Sequence, residues 1–130
     1  MRLKNKTAIV VGAGQQPGQT LGNGRATALR FAQEGARVLC LDIDQARAQE
    51  TVDQIIKEGG EAAAFAVDVT SEDACRNVAE AAHKQFGRID ILHNNAAGKS
   101  DDLDAFFAPF EEYSLDQWRE IMSVNLDGMF

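Results

Sequence analysis

Residues 7–24 read TAIVVGAGQQPGQTLGNG, and this stretch decides the fold. Thr7 to Val11 is a short β-branched run that ends in glycine, the pattern of a strand buried on both faces. Gly12-Ala13-Gly14 follows it directly. Gly22-Asn23-Gly24 then opens a helical pattern that runs to Glu34 and stops at Gly35, with Ala26, Leu29, Arg30 and Ala32 near helical spacing. Glycines between a first strand and a first helix let the backbone turn tightly and approach a pyrophosphate with no Cβ in the way. The helix start then offers free N–H groups and the positive end of its dipole. Gly12, Gly14, Gly22, Asn23 and Gly24 are therefore candidates for holding the phosphates of a dinucleotide. An ordinary strand-to-helix turn has a similar composition, so the reading draws its weight from the position of the glycines.

Working outward, Arg37 to Leu41 reads as a second strand ending at Asp42. Asp44 can cap a helix running to about Glu58, with Ala48, Val52, Ile55 and Ile56 on one face and Gly59-Gly60 beyond it. Ala63 to Val67 is a third strand, followed by Asp68. Thr70 or Ser71 can cap a helix carrying Ala74, Val78, Ala81 and Ala82 and closed near Gly87. Ile89 to His93 is a fourth strand. Gly98 to Tyr113 has no period and reads as a loop. Ser114-x-x-Gln117 is a capping-box pattern that opens a last helix, with Leu115, Trp118, Ile121, Met122, Leu126 and Met129 on one side. Strand and helix alternating four times predict a parallel sheet covered on both faces. With right-handed crossovers this is a doubly wound α/β layer of Rossmann type, its strands in the order third, second, first, fourth. The pattern stops at Gly128-Met129-Phe130 with no helix stop signal. The expectation is therefore one dinucleotide-binding domain over residues 1–130, truncated after the fourth strand and its following helix.

Asp42 stands at the end of the second strand, 18 residues after Gly24. A carboxylate there can accept both ribose hydroxyls of an adenosine and repels a 2′-phosphate. Ile43 and Asp44 follow, with no Arg or Lys to rescue that phosphate, so NAD is favoured over NADP, and Ile43 is grouped with Asp42 as cofactor-binding. A solvated strand-end aspartate is the plainer alternative. Asp68 ends the third strand in the same way. It can accept from an adenine amino group, cap the Thr70 region, or do both.

Of 130 residues, 45% are hydrophobic and 25% charged, the balance of a globular domain that can bury a real core. Thirteen Lys and Arg against twenty Asp and Glu give a net charge of −7. No basic face exists to neutralise phosphates, which argues against nucleic acid. No apolar run is long enough to span a membrane, and the start shows no signal-peptide core. Cys40 and Cys75 are two, widely spaced, and read as reduced thiols of a cytoplasmic protein. No His, Cys and carboxylate cluster has metal spacing.

Taken in order, Gly12-Ala13-Gly14 to Gly24, Asp68-Val69, Asn94-Asn95-Ala96-Ala97-Gly98 and Val124-Asn125-Leu126 resemble the motifs of the short-chain dehydrogenase/reductase family, over Lys6 to Phe130. The resemblance implies hydride transfer between NAD(H) and a small-molecule alcohol or carbonyl substrate, and a homo-oligomer. It implies that Gly12, Gly22 and Gly24 are the coenzyme-loop glycines, Asp42 the cofactor-selecting acid, and Asp68 and Val69 the adenine contacts. It implies further that Asn94, Asn95 and Ala96 support the sheet and touch the nicotinamide-side ribose. Asn125 matches the catalytic Asn, which holds a water in a proton relay to the active-site lysine. Read from its residues alone, Asn125 is an inward polar residue bending its helix.

Three departures stand out. Gly12 and Gly22 are ten apart where the family spaces these glycines by four, with the extra residues within Gln15 to Leu21. This longer loop can reach over the cofactor or lie on the surface, its backbone forming the same anion nest. Ala97 sits where the family has Gly, crowding close approach. The family's Ser and Tyr-x-x-x-Lys are absent: the only tyrosine, Tyr113, has Gln117 four residues on and precedes Asn125. Without that general acid/base the chain alone is expected to be inactive. The competing expectation is a stand-alone dinucleotide-binding or scaffold module. His83 reads as solvated and His93 as a packing residue. Phe106, Phe107, Phe110 and Tyr113 read either as a substrate-pocket wall or as packing over the last helix.

Overall fold

The computed structural model describes residues 1–18, 20–98 and 102–130. Parts of the two loops read at Gln15 to Leu21 and Gly98 to Tyr113, namely residue 19 and residues 99–101, lie outside the described residues. Four strands form one parallel sheet: β1 (Thr7–Val11), β2 (Arg37–Asp42), β3 (Glu61–Ala66) and β4 (Ile91–Asn94), in the order β3-β2-β1-β4. Helices α1 (Asn23–Gln33), α2 (Gln45–Lys57) and α3 (Glu72–Phe86) alternate with them. The chain continues as α4 (Leu103–Phe106), a 3-10 turn at Phe110–Glu112, α5 (Leu115–Asn125) and a final 3-10 turn at Asp127–Met129. This is the doubly wound order expected, with β1 central and neighbours leaving it in both directions.

Alternation along the strands sorts the core into two layers. Ala8 and Val10 of β1, with Val38 and Cys40 of β2, pack under α1 and α2 against Ala28, Leu29, Ala48, Val52 and Ile55. Ile9, Val11, Leu39 and Leu41 point the other way and meet Val78, Ala82 and Phe86 of α3. All five residues of β1 are buried, which is why TAIVV shows no polar alternation.

Several boundaries and faces differ from expectation. On α1 the buried residues are Gly24, Ala28 and Leu29; Arg30 is exposed and pairs with Glu34. On α2 the buried face is Ala48, Thr51, Val52 and Ile55, and Ile56, turned about 100° from Ile55, is 54% exposed. β3 starts at Glu61 and ends at Ala66. β4 starts at Ile91, because Asp90 is held in a tie to β1: the Thr7 amide donates to its Oδ2 at 2.9 Å, and its own amide donates to the Thr7 carbonyl. The stretch read as a loop contains α4, a single turn capped by Asp102. Helix α5 ends at Asn125, so Leu126 and Met129 lie beyond it. The Gly128 backbone there sits against Val69, where an added Cβ would be 2.7 Å from a Val69 methyl.

Candidate functional site

The C-terminal ends of all four strands open into a cavity of about 630 Å³. It lies beside the point where the strand order switches direction at β1, the place where open α/β sheets bind ligands. Its floor is the glycine turn after β1. Three elements hold that turn, one per residue. Asn95, after β4, donates from Nδ2 to the Gly12 carbonyl at 3.1 Å. Thr51 of α2, fully buried, donates from its hydroxyl to the Ala13 carbonyl at 2.8 Å. Asp42 at the end of β2 accepts the Gly14 amide on Oδ2 at 3.0 Å and the Asp44 amide on Oδ1 at 3.1 Å.

The turn needs glycine for contact as much as for conformation. Gly12 has φ +75°, and a Cβ there would lie 3.0 Å from Ala96 backbone atoms. A Cβ on Gly24 would overlap the Gly12 carbonyl oxygen. Gly22, by contrast, is an N-cap with φ −69°, and a Cβ on it would meet the Gln15 Oε1 at an ordinary 3.6 Å. The close-packed glycines are thus Gly12, Gly14 and Gly24.

The amides of the glycine turn itself are already engaged. The amides of Gly12 and Ala13 both donate to the Leu41 carbonyl, at 2.8 and 2.9 Å, and that of Gly14 goes to Asp42. The turn itself therefore offers close approach rather than free amide donors. Gly22 has no side chain with which to cap that helix, whereas α2, α3 and α5 are capped by Asp44, Ser71 and Ser114. Among the described residues no hydrogen bond reaches the Gly24 amide.

Gly12, Gly14, Gly22, Asn23, Gly24, Asp42, Ile43, Asp68, Val69, Asn95 and Ala96 all line the cavity. Asp68 is an exposed rim residue. The Thr70 hydroxyl and amide donate to its Oδ1 at 2.6 and 2.9 Å and hold its carboxyl below the usual range. Ser71, not Thr70, caps α3. Two expected residues are not brought to the cavity. Asn94, alternating with Asn95, turns to the opposite side of the sheet, where it borders a smaller apolar cavity with Ile9, Val11 and Leu92. Asn125 sits behind the wall: it accepts the Gly98 amide on Oδ1 at 2.7 Å and donates from Nδ2 to the Gly98 carbonyl at 3.3 Å. Each end of its carboxamide makes one hydrogen bond that pins the loop after β4.

Gln15, Gln16, Pro17, Gly18 and Thr20 add a wall that the glycine spacing alone did not locate. Thr51 was missed by the sequence reading, and the signal for it was a β-branched polar residue within the apolar face of α2. The cavity lining holds two carboxylates, Asp42 and Asp68, and no Lys, Arg or His among the described residues. The first basic residue after Asp42 is Arg47, whose Nε is paired to Asp44 at 3.3 Å. Tyr113 lies outside the lining and donates its hydroxyl to the Phe106 carbonyl. The neighbouring aromatics pack on each other, Phe106 on Phe107 and Phe110 edge-on to Trp118 of α5. His93 packs edge-on to Phe31 of α1, and His83 is exposed.

A family model described as short chain dehydrogenase matches residues 6–130. The uncharacterized oxidoreductase YxbG of Bacillus subtilis is 41% identical over 129 residues, covering 99% of this chain and 43% of that protein. A solved NAD+-bound xylitol dehydrogenase superposes with a TM-score of 0.84 at 32% identity, over 98% of this chain and 45% of that one. A metagenomic short-chain oxidoreductase in complex with NADP superposes with a TM-score of 0.83 at 29% identity, over 98% and 53%. The chain spans about half the length of the curated relatives it matches.

Proposed function

This chain belongs to the short-chain dehydrogenase family, and on that premise we propose that residues 1–130 form the NAD-binding domain, incomplete at its C-terminus, of an oxidoreductase. The parent enzyme moves hydride between the nicotinamide cofactor and a small-molecule alcohol or carbonyl compound. The observation that carries the cofactor reading is the cavity itself: a glycine floor, an uncapped helix start and two strand-end carboxylates. The residues fit a dinucleotide. Gly24 leaves an open amide at the start of α1, and Gly12 and Gly14 keep side chains out of the floor. Asp42 uses one lone pair on each oxygen for the backbone and retains acceptor capacity for the two ribose hydroxyls. When bound, the nicotinamide ring supplies the hydride acceptor or donor.

Asp42 and Asp68, with no Lys, Arg or His in the described lining, favour NAD over NADP, because a 2′-phosphate would face two carboxylates in a partly dry site. Tyr113 is spent on Phe106, away from the cavity, so the chain by itself binds cofactor without turning over substrate. Two free thiols, Cys40 buried and raised to about 12 by that burial, support a reducing, cytoplasmic setting, and no described helix is long and apolar enough to cross a membrane. The exposed Leu115 and Trp118 of α5 support assembly as a homo-oligomer.

Calorimetric titration of the chain with NAD and NADP tests the reading. NAD binding more tightly than NADP, with the preference lost in Asp42→Ala, supports it. Equal or tighter NADP binding, or a preference unmoved by Asp42→Ala, overturns the cofactor assignment. Turnover of alcohols with NAD by the chain alone would show the site to be misplaced.

A further inference from the structure

The glycine turn of this chain carries extra residues, and one side chain closes them into a loop. The Gln15 carboxamide donates from Nε2 to the Thr20 carbonyl at 2.7 Å and to the Gln16 carbonyl at 2.9 Å. Its Oε1 accepts the Gly22 amide at 3.0 Å. Gln15 is therefore bonded to both ends of the insertion and to the N-cap of α1. Gly22 brings no side chain to cap α1, and a carboxamide seven residues upstream instead ties down the Gly22 amide just before the first turn.

We propose that Gln15 is a positioning residue for the phosphate-bearing part of the dinucleotide. By bridging Gln16, Thr20 and Gly22 it holds these uncharged residues beside the glycine floor. It also occupies the N-cap amide, while the Gly24 amide, in the cavity lining, has no partner among the described residues. This rests on the cofactor reading above and extends it. The phosphates meet no cation in the described lining, so backbone donors must hold them, and their aim is set by Gln15. A carboxylate in place of the carboxamide could still accept from Gly22. It would lose both donated bonds and bring a negative charge to the phosphates. The adenosine end, at Asp42 and Asp68, is served by different elements and does not depend on Gln15.

The test measures NAD and AMP binding by calorimetry on the chain and on Gln15→Ala and Gln15→Glu, with urea unfolding of each. AMP carries the adenosine end and one phosphate; NAD carries the whole pyrophosphate bridge. Gln15→Ala is expected to weaken NAD about tenfold, the scale of two or three lost hydrogen bonds. Gln15→Glu weakens NAD further, and AMP changes by less than about threefold in Gln15→Ala. An unaltered NAD affinity in Gln15→Ala overturns the proposal. So does an equal loss of NAD and AMP with a lowered unfolding midpoint, which would make Gln15 a general structural residue. If the unsubstituted chain binds AMP and NAD not at all, the cofactor reading falls, and that outcome is distinct from either of the others.

Discussion

The Ala13 carbonyl lies beneath the cavity floor and receives its hydrogen bond from Thr51, whose side chain is fully buried. Water cannot replace that donor without opening the packing between α2 and β1. Thr51→Val keeps the shape and removes the hydroxyl, leaving a buried carbonyl unsatisfied, at a cost of about 1–3 kcal/mol. Thr51→Ser restores the donor and is expected to recover most of that loss. Urea unfolding of the two variants separates hydrogen bonding from volume, and a Thr51→Val chain more stable than Thr51→Ser would mean that the methyl, not the hydroxyl, matters. The effect reaches the site, because Ala13 is framed by Gly12 and Gly14, and a turn that sags moves the surface a pyrophosphate would approach. Gly24→Ala acts on the same contact from above: its methyl would collide with the Gly12 carbonyl oxygen, so α1 must shift before the cavity keeps its floor.

Between elements, the tie at Asp90 joins β4 to β1 on the edge of the sheet opposite β3. Arg88 grips the Asp90 carboxylate through both oxygens and Lys6 lies within 3.6 Å. The Arg88 hydrogen bonds, then the Thr7 amide, hold the Asp90 carboxyl below the usual carboxylate range. A carboxyl depressed in the folded state stabilises at pH above its unfolded value, and the gain is lost as pH falls through the folded one. Asp90→Asn should therefore lower the urea midpoint at neutral pH, with the gap to the unsubstituted chain closing under strong acid. A gap independent of pH would show that shape, not charge, makes the tie. The same tie explains a misjudged boundary, since Ile89 continues the apolar run in sequence but the Arg88–Asp90 turn keeps it out of the ladder. Sheet order, β1, and the caps at Asp44, Ser71 and Ser114 were legible because each depends on local chemistry or on a run buried on both faces. What was not legible depends on distant partners: Asn94 facing away, the turn amides spent on β2, Asn125 bonded to Gly98, and Gln15 reaching across an insertion.

At the scale of the molecule, large apolar side chains are left uncovered. Helix α5 buries no residue fully; Ile121 and Val124 are half-buried, while Leu115, Trp118 at 46% and Leu126 are exposed. Phe107 and Phe110 stand out beside them, and Met129 lies near the same end. β4 pairs only with β1 among the described residues, and Leu92 on its outer face is 58% exposed. An edge strand with free N–H and C=O groups, together with exposed apolar side chains, is a template for pairing with another chain. The net charge of −7 opposes association over long range, but salt screens it beyond about 8 Å at physiological ionic strength. The chain is therefore expected to sediment as oligomers or larger species at micromolar concentration, more so as salt is raised. Leu92→Lys, which puts a charge on the edge, and Trp118→Glu, which replaces an exposed apolar side chain with a charged one, should each shift it toward monomer. If salt and both substitutions leave a cooperative folded monomer unchanged, the exposed face is stable in water by itself. The stand-alone binding module then becomes the better account of the chain.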